Sequence, residues 1–212
     1  MPAFPVRSAA KSTPKSKRTR RRILDAAMEL FAERGLHACS NAEVAEAAGL
    51  TRGAMLYHFR TREDLVDAAI DHIQERRTEA FASAARAATS GDDLSDQAID
   101  AYWELLHQAP FRAFAELEAV ARTDPALARR LAPAQAAFDR AQIGDELLGL
   151  LQAGSSARFQ TSRDLARFML EGLSRASLTY EGDARTEHLL TVIKRVTRAL
   201  NRKGSAQELW ED

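Results

Sequence analysis

One cysteine, Cys39, is the whole thiol complement of the chain, so no disulfide can close within it and nothing points to an oxidising compartment. No apolar run reaches the roughly 18 residues of a membrane span. No hydrophobic segment follows the basic start at signal-peptide distance, so a cytoplasmic protein is expected. Alternation of apolar and polar residues over a strand's length is missing throughout. There is no glycine-rich phosphate loop and no Ser/His/Asp order, and the five histidines (37, 58, 72, 107, 188) are scattered. The expectation is therefore a non-enzyme without cofactor or metal, built from helices alone.

Charge is also missing, but only on average. The formal net charge of the 212 residues is zero. Residues 1–60 hold 11 Lys and Arg against 5 Asp and Glu, a net +6, while residues 61–212 hold 19 against 25, a net −6. A basic first part on an acidic remainder suits a polyanion partner for that part alone. A basic tail without a partner is the plain alternative.

What is present is helical patterning. Residues 1–17 (MPAFPVRSAAKSTPKSK) show no periodicity and read as a disordered basic arm. From Arg18, apolar residues recur at three- and four-residue steps (Ile23, Ala27, Leu30, Phe31), and Gly35 is expected as a left-handed cap. Arg18, Arg20, Arg21 and Arg22 crowd the first turn, where positive charge opposes the helix dipole at a cost of about a few tenths of a kcal/mol. A phosphate backbone would give that cluster a reason. In CSNAEVAEAAG, Ser40 and Glu43 form a capping box for a short helix over 41–48 with Val44, Ala45 and Ala48 inward. Gly49 turns the chain, and Thr51 caps a second short helix ending at His58 or Phe59. Two short helices joined by a tight glycine turn make a helix-turn-helix, whose second helix enters the major groove. On a wheel for 51–59, Met55 and Phe59 coincide with Leu56 at their flank, while Gly53, Ala54, Tyr57 and His58 take the other side.

Further helices are expected over 63–89, 94–108 and 111–121 with Pro110 between the last two, then a short one from Asp124–Pro125. Pro133 is expected to start another, running to about 153, before a loop at 154–161 and helices over 162–180 and 184–202. This gives an arm (1–17), a helix-turn-helix domain (18–62), a helical regulatory and dimerisation domain (63–202) and a flexible tail (203–212).

The runs ILDAAMELFAERG and VAEAAGLTRGAMLYHFRTREDL resemble the TetR/AcrR family of transcriptional regulators over about residues 19–70. The resemblance implies that Arg52, Gly53 and Ala54 read bases. It implies that Thr51, Tyr57, His58 and Arg62 hold phosphates, with Ser40 and Asn41 at the preceding helix start. Many members carry an aromatic where this chain has Leu56, so Leu56 is left out of the contact set. The last two helices cannot bury both apolar stripes by themselves, and pairing with a second copy would make a four-helix bundle. The expected dimer face is Leu165, Met169, Leu173, Ala176, Leu189, Ile193, Val196 and Leu200. By the same resemblance an effector pocket should involve Trp103, Leu106, His107, Phe111, Phe114, Leu117, Phe138 and Phe168, suiting an apolar or aromatic molecule. Plain core is the competing reading for those aromatics.

The implied function is a sequence-specific repressor, released from a palindromic DNA operator when the small molecule binds. Two rival readings stand against it. Glu104-Leu105-Leu106-His107 matches the Glu-x-x-His of di-iron helical bundles but lacks the second copy such sites need. A helical interaction protein with a basic nucleic-acid-binding tail would leave the basic helix, the glycine turn and the small-faced helix unexplained together.

Overall fold

The computed structural model describes residues 13–87, 94–142, 157–179 and 183–201, which hold nine helices and no strand. Helix α1 (Pro14–Arg34) starts before the expected Arg18. Thr13 caps it, its hydroxyl accepting from Ser16 N at 3.2 Å, and Pro14 in the first turn has its φ preset and no N–H to leave unpaired. Residues 14–17 thus belong to the helix, with Lys15 and Lys17 exposed along it. Residues 1–12 of the expected arm lie outside the described residues. Gly35 ends α1 with φ 84°, positive as expected, but with ψ 159°, extended rather than left-handed helical. That region is open essentially to glycine alone.

Helices α2 (Asn41–Ala47) and α3 (Arg52–His58) follow, and then α4 (Arg62–Ala87), which starts one residue before the expected Glu63. Its cap is a second reciprocal box: Thr61 N donates to Asp64 Oδ2 at 3.1 Å and Asp64 N to Thr61 Oγ1 at 3.0 Å. Helix α5 (Leu94–Leu106) stops two residues short of the expected Gln108, where the last N–H groups bond only three residues back. Pro110 does not separate helices but sits in the first turn of α6 (Ala109–Ala121). Asp124 Oδ1 then accepts from Ala126 N and Leu127 N at 2.9 and 3.1 Å, opening α7 (Pro125–Gln142).

Helix α7 runs through Pro133, where two helices were expected. Pro133 and Arg129 are both exposed, so water can take the carbonyl that proline leaves unbonded. Buried Leu131, Ala134 and Phe138 on the other side hold both halves in line. The expected continuation to 153 and the turn at 90–93 lie outside the described residues. Helix α8 (Ala157–Ala176) takes residues 157–161 of the expected loop, and α9 (Asp183–Asn201) closes the described chain.

Two apolar clusters hold these helices. The first joins Ile23, Phe31, Val44, Met55, Phe59 and Leu65 to Phe114, Leu117, Leu127 and Leu131, so it crosses residue 62 instead of ending there. The second joins Tyr102, Phe111, Phe138, Leu170, Leu173 and Ile193. Helix α4 serves both, with Leu65 to Ile73 in the first and Ala80, Phe81 and Ala84 against the second.

The stripe expected to await a partner copy is divided. Helix α5 packs on α8 and α9, and Leu173, Ile193 and Leu200 are buried inside the single chain. Met169 and Leu189 are half-buried, while Leu165, Ala176 and Val196 stay exposed. Asp100 and Asp96 of α5 pin α9 through Lys194 at 2.6 Å and Arg198 at 3.3 Å.

Two glycines test this backbone. Gly49→Ala, at φ 64°, should destabilise by about 1–2 kcal/mol. Gly35→Ala should cost about 1–3 kcal/mol. An added Cβ at Gly35 would meet Glu116 Oε1 at 2.7 Å, but that carboxylate can swing away, so Gly35→Ala/Glu116→Ala should recover little. Urea unfolding of the three variants measures this.

Candidate nucleic-acid interface

The turn between α2 and α3 is closed by two backbone bonds, Gly49 N to Glu46 O and Leu50 N to Ala45 O, both 2.8 Å. These are the paired bonds of a Schellman motif, with Gly49 (φ 64°) in the left-handed position. Arg22 Nη2 donates to Ala48 O at 2.6 Å and so ties α1 to the same turn. Thr51 caps α3 by accepting from Ala54 N at 3.2 Å.

A seven-residue helix is too short to hold itself in water. Helix α3 is held by Met55 and Phe59, 1% and 2% exposed, sunk in the first cluster. Arg20 covers the far side of the Phe59 ring, its guanidinium carbon 4.4 Å from the centroid. The opposite face is bare. Thr51, Arg52 and Gly53 are exposed, Tyr57 is 80% exposed, and Ala54 and His58 are half-exposed. Leu56, at 38%, lies at the edge of this face. The His58 ring packs edge-on to Tyr57, centroids 5.3 Å apart. Burial, and then the neighbouring Arg20 charge, hold the His58 imidazole below its ordinary value.

The remaining expected contact residues are engaged within the protein. The Ser40 hydroxyl accepts from Glu43 N at 3.2 Å and donates to Glu43 Oε2 at 2.8 Å, completing the capping box. Arg62 is half-buried. Its Nη2 donates to Leu36 O at 2.8 Å, its Nη1 donates to Asn41 Oδ1 at 3.3 Å, and its guanidinium stacks on Phe31 at 5.3 Å. It clasps the starts of α2 and α4 together instead of projecting outward. Lys15, Lys17, Arg18, Arg20, Arg21 and Arg22 of α1 and Arg60 after α3 are exposed, and of these Arg20 reaches Phe59 and Arg22 reaches the turn. Lys15 and Lys17 fall in the stretch expected to be an arm, although Thr13-Pro14 is a recognisable helix start.

Of the eight residues expected around a pocket, Phe111, Phe114 and Phe138 meet at Arg77, while His107 and Phe168 are exposed. Phe114 and Leu117 belong to the first cluster, Phe111 and Phe138 to the second, and all four are buried. Trp103 and Leu106 are half-buried near the end of α5. His107 is exposed, donating through Nδ1 to Trp103 O at 2.8 Å, and Glu104 beside it also faces outward. Phe168 is 56% exposed on the outer face of α8, with Arg167 4.8 Å above its ring.

Gly53 gives a direct test of the bare face. An added Cβ there would meet nothing within 4 Å, and its φ is ordinary, so the fold has no need of glycine. Gly53→Ala should stabilise the free protein by up to about 1 kcal/mol, read as a rise in melting temperature. Arg62→Met should lower the melting temperature, and Tyr57→Ala should leave it unchanged.

Similarity to known proteins agrees with this geometry. The sequence profile of "Bacterial regulatory proteins, tetR family" matches residues 23–69. The transcriptional regulator TtgR of Pseudomonas putida is 30% identical over 166 residues, which are 78% of this chain and 71% of TtgR. AcrR of Shigella flexneri is 44% identical over 57 residues, and that match spans 27% of this chain and 26% of AcrR. Among solved structures, a putative TetR-family regulator from Rhodococcus sp. superposes with TM-score 0.63 and 27% identity, covering 85% of this chain and 99% of that one. With a buried Met55–Phe59 anchor, a glycine turn and an outward Thr51–Tyr57 face beneath an all-helical body, the chain belongs to the TetR family of bacterial regulatory proteins.

Proposed function

We propose that this protein is a sequence-specific transcriptional regulator that binds a palindromic duplex as a homodimer and is released by a small apolar or aromatic effector. The observation that carries the reading is the two-sidedness of α3, which buries Met55 and Phe59 and turns Thr51, Arg52, Gly53 and Tyr57 to solvent beside a basic α1. Arg52 at the start of α3 is the base reader, since a guanidinium can take guanine O6 and N7 together. Gly53 and Ala54 let the helix backbone come close to the base edges. Tyr57 and His58 reach phosphates at the groove rim, and the α1 cations extend that strip. Arg62 and Asn41 join the starts of α2 and α4, and Ser40 caps α2.

The dimer reading rests on the apolar surface left on the last two helices. Leu165, Phe168, Val192 and Val196 are exposed, and nothing approaches the Cβ position of Gly172. Such a face joined to its twofold copy makes a four-helix bundle and sets the reading helices about 34–36 Å apart. Support for a small effector comes from the multidrug binding protein EbrR complexed with proflavin, which superposes with TM-score 0.54 at 25% identity. Effector would shift the dimer toward a spacing that no longer fits successive grooves.

Selection of bound duplexes from a random pool tests the reading and yields the half-site spacing. A palindrome with half-sites one helical turn apart is expected, and a pool with no enrichment over input refutes it. On the selected duplex, Arg52→Ala should lose about 1–3 kcal/mol of preference at one base pair. Tyr57→Ala and Gly53→Ala should weaken binding to all duplexes. Light scattering at micromolar protein should give a dimer mass.

His58 adds a pH test. Its lowered value means that protonation opposes the free fold, so stability is complete above about 6.5 and falls as pH drops through the lower, folded value. Phosphate favours the protonated ring, so duplex affinity should move the other way and rise on acidification, by at most about one log unit per pH unit for each head. His58→Gln should flatten both slopes.

A further inference from the structure

Helix α4 carries an arginine in line with its buried stripe of Leu65, Ala69 and Ile73. Arg77 is 3% exposed. Its guanidinium lies between the rings of Phe114 and Phe138, 3.8 and 4.0 Å from their centroids, with Phe111 at 5.3 Å. Both Nη atoms point at one neutral acceptor, Gln135 Oε1, at 3.2 and 3.3 Å, and the buried Nε has no partner. Burial lowers the group to about 10, so it is still charged at neutral pH.

The carboxylates that could neutralise it are committed to others. Glu118 accepts from Arg175 at 2.9 Å. Glu171 accepts from the Tyr102 hydroxyl at 3.0 Å and stands 3.9 Å from Arg167. Asp139 takes Arg167 at 2.5 Å and the Gln135 amide at 2.8 Å. A buried cation with five N–H bonds and a single amide oxygen is an expensive arrangement that a packed core does not need. A planar carboxylate has the two oxygens that the guanidinium fork matches, and the ring cage suits an apolar body behind it.

We infer that Arg77 is the recognition group for an organic anion, an aromatic carboxylate whose ring system joins the Phe111, Phe114 and Phe138 cage while its carboxylate displaces the Gln135 amide. This rests on the effector reading above and gives the effector its charge. The site draws Phe114 from the first cluster and Phe111 and Phe138 from the second, and Arg77 stands on the helix that serves both. Seating the anion would also free Gln135 to turn wholly toward Asp139, so the ligand changes what holds α4 to α7.

The test is a panel of one-, two- and three-ring aromatics, each supplied as carboxylate, amide and amine. It is run on the full chain by thermal shift and by release of the selected duplex. The carboxylates should raise the melting temperature and release DNA at concentrations at least about tenfold lower than their amides. Arg77→Met should lose that preference and melt no lower than the unaltered protein, because it removes an unpaired buried charge. Amides or amines that act as well as the acids overturn the inference and leave the effector reading standing. If no aromatic of any charge releases the duplex, both fall. If Arg77→Met melts far lower while the unaltered protein ignores ligand charge, Arg77 is a structural group and the inference is overturned.

Discussion

The burial of Met55 and Phe59 is the constraint on which the rest of this structure depends. Helix α3 has seven residues, and nothing within it could keep it folded in water. Sinking those two side chains contributes roughly 1.5–3 kcal/mol each, enough to fix the helix and its rotation about its axis. Once that rotation is fixed, Thr51, Arg52, Gly53 and Tyr57 have no choice but to face out. The glycine turn, the Arg22 tether on Ala48 and the Arg20 guanidinium on Phe59 all secure the same pose from other sides. The Arg62 clasp adds the last, joining the loop at Leu36 and the start of α2 to the start of α4.

The same core does not end with the head. It runs on through Phe114, Leu117, Leu127 and Leu131, so helices α6 and α7 pack directly on the group that holds the reading helix. Helix α4 leaves this core and enters the second one. Packed side chains and the single helix α4 therefore connect the helical body to the head without a break. The salt bridges across the body, Arg130 to Asp67 and Arg167 to Asp139 among them, join α4, α7 and α8 at the edges of these clusters.

Helix periodicity, both short caps and the turn were legible because each is set by residues within a few positions of one another. Ser40 with Glu43, Ala48-Gly49 and Thr51 fell where expected. The misplaced boundaries share a cause. Pro133 looked like a helix start, since proline removes a backbone bond wherever it stands. Whether the helix survives depends on which side faces water and what holds the other side. Pro110 and Pro14 show the milder case of a first turn. The start of α4 is locally written in Thr61-Arg-Glu-Asp, and the helix begins within one residue of the expected Glu63.

Side-chain roles divided along the same line. The sequence by itself determined an all-helical chain, a two-sided reading helix and a basic first part, because periodicity, capping and charge are properties of neighbours. Only the tertiary structure decided that Arg62 clasps inward, that Leu173 and Ile193 pack with α5, and that Phe168 stands outside. It alone brought Phe111, Phe114 and Phe138 around Arg77. Those outcomes depend on which helix lies against which, and a stripe of apolar residues records that a helix packs without recording its partner.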